Sequence, residues 1–146
     1  MADTYRSADA ASRDKARIEE LREALHASPS VLRRNGDGLW ALQGRPGCYA
    51  STWGDGASWQ LVAAPETEVS SRQWTAHKNR MAFAEVAQDG DADGCFRLHR
   101  LPTAVEAAVI RDILGVRKAV DLSPDELERR REVARRSFGR PVKTGS

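Results

Sequence analysis

The stretch SSRQWTAHKNRMAFAEVAQDGDADGCFRLHR, residues 70–100, decides the fold, because it predicts a capped helix followed directly by a β-hairpin. Ser70 is followed three residues later by Gln73, which is the spacing of a helix-capping box. The acidic segment 89–94 contains two glycines and has the composition of a hairpin turn. In the strand after it, Phe96 and Leu98 share one face. A helix that leads into an antiparallel hairpin indicates an α+β domain.

The preceding segment, residues 38–64, predicts a small antiparallel meander. Three short runs rich in aromatic or apolar residues, GLWALQ, GCYAST and ASWQLVAA, are separated by the turn sequences GRPG and WGDG. In the third run Trp59, Leu61 and Ala63 share one face. Together with the hairpin, the meander gives a small antiparallel sheet of about five short strands.

Three to four helices are predicted to pack with this sheet. An N-terminal helix over about 13–27 has a narrow apolar stripe, and a short helical turn covers 29–34. A core helix over 104–114 ends at Gly115, and a largely charged helix covers 124–138. The last two begin at capping boxes, Thr103 with Glu106 and Ser123 with Glu126. The apolar residues of the core helix are Val105, Ala107, Val109, Ile110, Ile113 and Leu114.

The length of 146 residues predicts a single domain over 12–138, with a disordered N-terminus at 1–11 and a flexible basic tail at 139–146. No signal peptide or membrane-spanning run is visible, and two cysteines are too few for a disulfide framework. These features predict a cytoplasmic protein. The chain uses 19 arginines and 4 lysines, which we interpret as the codon bias of a GC-rich bacterial or phage genome.

The strongest charge signal lies at the C-terminal end. Residues 129–146 contain seven Lys or Arg and one Glu, whereas the remainder of the chain is net acidic. A basic end on an acidic body predicts contact with phosphates. The candidate nucleic-acid-binding residues are Arg129, Arg130, Arg131, Arg135, Arg136, Arg140 and Lys143, with a second patch at Arg97, His99, Arg100, Arg117 and Lys118.

The charges of the predicted helix over 124–138 can also be explained without a binding partner. Asp125–Arg129, Glu126–Arg130 and Glu132–Arg136 are acid-first pairs four residues apart, which stabilise an isolated helix. Narrow apolar seams on the N-terminal and C-terminal helices further allow a homodimer. Both alternatives stay open from the sequence.

The acidic tip begins like a calcium-binding loop, because its carboxylates alternate before a glycine. The twelfth position of that loop requires a Glu and holds Arg100, so an ordinary turn is favoured. Zinc ligands could come only from Cys48, Cys95, His77 and His99, which lack the paired spacing of a zinc site. The sequence therefore predicts no metal and no cofactor.

No phosphate-binding loop, dinucleotide fingerprint or zinc-protease motif is present. The sequence predicts a small non-catalytic binding or regulatory protein that contacts nucleic acid or a nucleoprotein, without a membrane partner. The alternative is a protein-binding inhibitor or adaptor of the mobile-element, anti-CRISPR-like type, directed at a nucleic-acid-handling enzyme. Its candidate contacts are the tip carboxylates Asp89, Asp91 and Asp93 and the aromatic residues Trp53 and Trp59. A third hypothesis, an enzyme with a convergent site, would require two or more of five residues to meet in one pocket: His26, His77, His99, Cys48 and Cys95.

Overall fold

The computed structural model describes residues 5–65, 70–120 and 124–139, although the side chains of 124, 126, 127 and 136–139 are not included. Four α-helices are present in this part of the chain: α1 (Ala8–Ala24), α2 (Ser71–Arg80), α3 (Ala104–Leu114) and α4 (Pro124–Gly139). The strands there are β1 (Leu32–Arg34), β2 (Trp40–Gln43), β3 (Cys48–Thr52), β4 (Trp59–Ala63), β5 (Glu85–Asp89) and β6 (Gly94–Leu98). The predicted α+β class with a small antiparallel sheet is confirmed.

The strands form a single antiparallel sheet in the order β1-β2-β3-β4-β6-β5. It has one strand more than the roughly five predicted. The additional strand is β1, which lies where a helical turn was predicted over 29–34. Only Pro29–Val31 forms a turn of 3-10 helix, after which Leu32 pairs with Leu42. Asn35 then closes the β1–β2 hairpin, because its side-chain oxygen accepts from the backbone N–H groups of Asp37 and Leu39.

The stretch 70–100 forms the predicted helix and hairpin. Because β6 pairs antiparallel with both β4 and β5, these two strands are parallel, and α2 makes the crossover between them. Trp74 of α2 is 2% exposed and packs on Phe96, with ring centres 5.3 Å apart. A Cβ at Gly94 would lie 2.6 Å from Trp74 Cζ2 and 2.1 Å from the Gln88 carbonyl oxygen. Glycine is therefore required where the hairpin meets the helix.

The core lies on one face of the sheet. Helices α1, α2 and α3 contribute their apolar residues to the same cluster as alternate residues of the strands, including Leu42, Leu61 and Phe96. Because strand side chains alternate, the intervening residues, such as Tyr49, Gln60 and Arg97, face away from these helices. The core includes the N-terminal stripe, since Ile18, Leu21 and Leu25 are fully buried. That stripe is therefore not available for a homodimer.

Two of the predicted helix caps are confirmed. The Ser70 hydroxyl accepts from the Gln73 N–H, and Thr103 and Glu106 form a complete capping box. Gly115 ends α3 with a φ of 70°, the left-handed conformation that favours glycine. The third cap, at Ser123, lies outside the described residues.

Three expectations from the sequence are corrected. The first helix begins at Ala8, because Ser7 caps it by accepting from the Ala10 N–H, rather than at about residue 13. Val105 is 78% exposed although it was assigned to the core helix, since it lies beside the cap on the solvent side of α3. Trp59, predicted as an exposed contact, is 4% exposed, because the face it shares with Leu61 is the core face. None of the described helices combines the length and apolar character needed to cross a membrane.

Candidate functional site

The described part of α4 presents an arginine-rich surface. Every side chain described on this helix, at Asp125 and over 128–135, is exposed. The predicted Asp125–Arg129 pair is not formed, and Arg129, Arg130 and Arg131 have no ion pair with any described carboxylate. Arg135 is paired instead, with its Nη2 atom 3.2 Å from Glu128 and 3.3 Å from Glu132. Three adjacent arginines thus remain available to an anionic partner.

Several of the predicted basic residues cannot be placed. The side chains of Glu126 and Arg136, and the whole of Arg140 and Lys143, lie outside the described residues. The Glu126–Arg130 and Glu132–Arg136 pairs, and the contribution of the segment 139–146, therefore stay predictions.

The second predicted basic patch is largely neutralised by carboxylates. His99 Nε2 lies 3.2 Å from a Glu85 oxygen on the neighbouring strand. Arg100 donates to both carboxylate oxygens of Glu106, at 2.6 and 2.8 Å. Arg97 is also paired, with Asp55. Of this set only Arg117 and Lys118, which follow α3, are exposed without a described ion pair.

Arg97 belongs to a compact cluster at the β3–β4 turn. Its guanidinium lies 4.7 Å from the Trp53 ring centre and donates to Asp55 at 2.6 Å and to the Ser58 hydroxyl at 3.0 Å. The Asp55 carboxylate also accepts from the backbone N–H groups of Ala57 and Ser58, at 2.9 and 2.8 Å. These two backbone bonds, followed by those from the Ser58 hydroxyl and Arg97, hold the pKa of Asp55 far below its usual range. The cluster fixes the turn against β6.

The acidic tip is smaller as an interaction surface than the sequence predicts. Asp89 accepts from Lys78 Nζ at 2.9 Å and from Trp74 Nε1 at 2.8 Å, and these bonds, the one from Lys78 first, lower its pKa. Asp89 therefore joins the hairpin to α2. Asp91 and Asp93 remain exposed.

The tip and Trp53 lie at opposite ends of the sheet. Gly94, next to the tip, pairs with Ala63 at one end of β4, whereas Trp59 at the other end pairs with Thr52, the residue before Trp53. Trp59 and Ala63 are four residue steps apart along β4, or roughly 13 Å. Asp91, Asp93 and Trp53 therefore do not form one continuous surface.

The residues of the enzyme hypothesis occupy different parts of the fold. Cys48 belongs to the core, whereas Cys95 lies on the opposite face of the sheet beside Val62. His77 is on α2, where burial, and then the charge of Arg80, lowers its pKa. His99 pairs with Glu85 at the end of β6, and His26 follows α1. Within the described residues, no group of three or more His, Cys, Asp or Glu could hold a metal ion.

A cleft that the sequence does not predict opens where β2 and β3 separate. Their ladder contains only the pairs Leu42–Ala50 and Gln43–Tyr49, whereas β3 and β4 pair over five residues. Beyond it, the Trp40 N–H donates to the Tyr5 hydroxyl oxygen at 2.9 Å instead of to β3. Tyr5 in turn donates to Asp14, which also accepts from the Thr52 hydroxyl. The Tyr5 hydroxyl thus accepts a hydrogen bond from a β2 backbone N–H that would otherwise be made to β3.

This cleft has a volume of about 390 Å³. It is lined by Tyr5, Asp14, Asn35, Asp37, Leu39, Trp40, Tyr49, Ser51, Thr52, Trp53, Gly54 and Gln60. Burial, and then the hydrogen bond to Asp14, raises the pKa of Tyr5 to about 12. The sequence offered little sign of this cleft, because Tyr5 lies in the segment predicted to be disordered and its partners are far away along the chain.

Comparisons of the chain with protein-family models, with curated proteins and with solved structures gave no match.

Proposed function

We propose that this chain is a small, non-catalytic binding or regulatory protein of a bacterial or phage cytoplasm that contacts nucleic acid through α4 and the basic segment after it. The observation that carries this proposal is the state of Arg129, Arg130 and Arg131. They are exposed and unpaired among the described residues. By contrast, each guanidinium of Arg80, Arg97 and Arg100 in the body has a nitrogen within 2.7 Å of a carboxylate oxygen.

Phosphates are the partner that this charge arrangement fits best. An arginine already paired with a carboxylate gains little by exchanging it for a phosphate, whereas an unpaired one releases counterions from the nucleic acid. Because α4 presents its described side chains on all sides to solvent, its arginines can follow a phosphate backbone without rearrangement of the core. Such contacts supply affinity rather than sequence selectivity.

The alternative function, a protein-binding inhibitor or adaptor, has one supporting observation. Asp91 and Asp93 are exposed at the hairpin tip and could imitate phosphates toward a basic groove. Fewer of its predicted contact residues are available than the sequence predicts. Asp89 is bound to Lys78 and Trp74, and Trp59 is buried.

Fluorescence anisotropy with labelled duplex DNA and single-stranded RNA, measured over a salt series, tests the nucleic-acid proposal. We expect the combined variant Arg129→Gln, Arg130→Gln and Arg131→Gln to bind more weakly and to flatten the log–log salt dependence by up to about 2.7 on duplex DNA, since each phosphate contact contributes about 0.9. The matched control replaces Arg6, Arg13 and Arg72, three exposed arginines of the body, with glutamine.

The control separates a defined surface from a general effect of net charge. Equal losses in the two triple variants would show that any three positive charges suffice and would contradict a role for α4. Absence of binding by the unaltered protein at low salt and micromolar concentration would reject the proposal. In that case affinity capture of a protein partner, compared with capture by an Asp91→Asn and Asp93→Asn variant, becomes the informative measurement.

A further inference from the structure

We infer that the cleft between β2 and β3 binds a nucleobase, which is either that of a free nucleoside or an unstacked base of a single strand. The inference concerns a surface other than α4. Only the second source of the base rests on the proposed function, since the cleft accepts a nucleoside whether or not α4 binds nucleic acid. The inference is carried by aromatic and amide groups that one wall of the cleft leaves without a partner.

The wall of the cleft next to α1 is already occupied by contacts within the chain. Tyr5, Asp14 and Thr52 are bound to one another, and the Trp40 N–H is bound to Tyr5. The rings of Tyr5 and Trp40 carry basic side chains, whose charged groups lie 4.5 to 5.5 Å from the ring centres. A ligand in the cleft is therefore held by the opposite wall.

The opposite wall is the face of β3 and β4 that points away from the helices. Tyr49, Ser51 and Trp53 alternate on this face, with Tyr49 and Trp53 roughly 13 Å apart along the chain. The strand pairing continues to Trp53, whose N–H donates to the Ser58 carbonyl oxygen at 3.0 Å. The small side chain of Ser51 thus lies between two aromatic side chains, and Gln60 is its cross-strand partner on β4.

The larger side chains of this wall have polar groups that are available to a ligand. Within the described residues, the amide of Gln60, the hydroxyl of Tyr49 and the indole N–H of Trp53 make no hydrogen bond, and all three side chains are half-buried. A primary amide presents a donor and an acceptor side by side, which is the arrangement that pairs with the edge of a base. Aromatic rings supply a surface on which any base can stack. Arg97 lies 4.7 Å from the Trp53 ring centre without lining the cleft, so it fixes this ring from outside.

The charges around the cleft favour a neutral ring over an ion. No Lys, Arg or His lines the cleft, so a phosphate has no partner there. Of the lining carboxylates, Asp14 is bound by Tyr5 and Thr52, and Asp37 is also engaged, so neither is left to neutralise a cation. Burial raises the pKa of Tyr49, so its hydroxyl stays neutral and able to donate. The volume of about 390 Å³ lies within the range of small-ligand sites.

Calorimetric titration of the full chain with adenosine, cytidine and uridine tests the inference. Methyl β-D-ribofuranoside is the control, because it keeps the sugar without the base. We expect at least one nucleoside to bind saturably and the sugar control to bind at least about 5-fold weaker, since it cannot stack. The same nucleoside should bind equally well to the combined Arg129→Gln, Arg130→Gln and Arg131→Gln variant. Failure of α4 to bind nucleic acid is thereby distinguished from failure of the cleft to bind a base.

Two pairs of variants locate the site. Gln60→Met should weaken nucleoside binding about 5-fold or more, whereas Gln88→Met, which removes an exposed amide on β5, should leave it unchanged. Tyr49→Leu should weaken binding by a similar factor, and Tyr49→Phe, which keeps the ring, should lose less. Thermal unfolding of each variant establishes that it is folded before its affinity is compared.

Single-stranded RNA octamers of adenosine, cytidine and uridine in the same titration distinguish the source of the base. Tighter binding of an octamer than of its nucleoside, reduced by Tyr49→Leu, indicates a base within a strand, and equal affinities indicate a free nucleoside; both results support the inference. It is overturned if no nucleoside binds saturably, if the sugar control binds as well as the nucleosides, or if Gln60→Met and Gln88→Met have equal effects.

Discussion

The guanidinium of Arg97 stacks on the indole ring of Trp53, with its central carbon 4.7 Å from the ring centre. Arg97 belongs to β6 and Trp53 to the turn after β3, so the contact reaches across β4. Asp55 and Ser58, on the same turn, accept the hydrogen bonds of the guanidinium. An exposed turn containing two glycines is thereby fixed to the sheet beside the cleft.

Asp55→Asn should lower the free energy of unfolding at pH 7, because the amide loses the ion pair with Arg97. The pKa of Asp55 is lowered in the folded protein, so its stabilising effect is complete above the unfolded value of about 3.9 and is lost as the pH falls through the lower folded value. The difference between wild type and variant should therefore be constant from pH 7 to about 5 and shrink in more acidic solution. Urea unfolding at several pH values measures it, with Asp91→Asn as the control for net charge.

Gly94→Ala should destabilise the protein by about 1–3 kcal/mol or more, because the new Cβ would meet the Gln88 carbonyl oxygen and the Trp74 ring. Gly36→Ala is the matched control. No atom lies within 4 Å of a Cβ at Gly36, so its effect should be within about 0.5 kcal/mol of zero. Equal unfolding midpoints for the two variants would show that the hairpin and α2 do not pack as closely as described.

Thr103→Ala should cost about 1 kcal/mol, because it removes the side chain that caps α3. At Glu106, glutamine keeps an oxygen for the Thr103 N–H but loses the ion pair with Arg100, whereas alanine loses both. The order of stability at pH 7 should therefore be wild type, Glu106→Gln, Glu106→Ala.

The advantage of wild type over Glu106→Gln should also depend on pH. The bonds from Arg100, and then from the Thr103 N–H, lower the pKa of Glu106 to about 2. The advantage is complete above the unfolded value of about 4.3 and disappears as the pH falls toward 2. A constant difference between pH 7 and pH 2 would contradict the assigned ion pair.

Removal of residues 121–146 should leave the unfolding midpoint of the remaining chain within about 2 °C of the full-length value, because every described side chain of α4 is exposed. The same truncation should abolish binding to nucleic acid. Scanning calorimetry and the anisotropy titration measure these outcomes. A large fall in the midpoint would indicate that α4 packs on the body.

The local elements were predictable because their signals lie within a few residues. The capping patterns at Ser70 and Thr103, and the glycine at position 115, define helix ends through bonds to nearby backbone groups. Alternation at Trp59, Leu61 and Ala63 correctly indicated a strand with one buried face. Strand β1 was missed because it has only three residues, and its pairing with β2 rather than its own composition makes it a strand.

The sequence by itself determined the α+β class, the capped helices and the concentration of arginines near the C-terminus, since these depend on local spacing and on composition. Only the tertiary structure decided which charges are available. Arg97 pairs with Asp55 and Arg80 pairs with Asp112, over sequence separations of 42 and 32 residues. Arg129, Arg130 and Arg131 pair with no described carboxylate. The cleft was decided in the same way, because Tyr5 meets Trp40 through a contact 35 residues apart. Pairing and pocket formation depend on distances that only the folded chain defines.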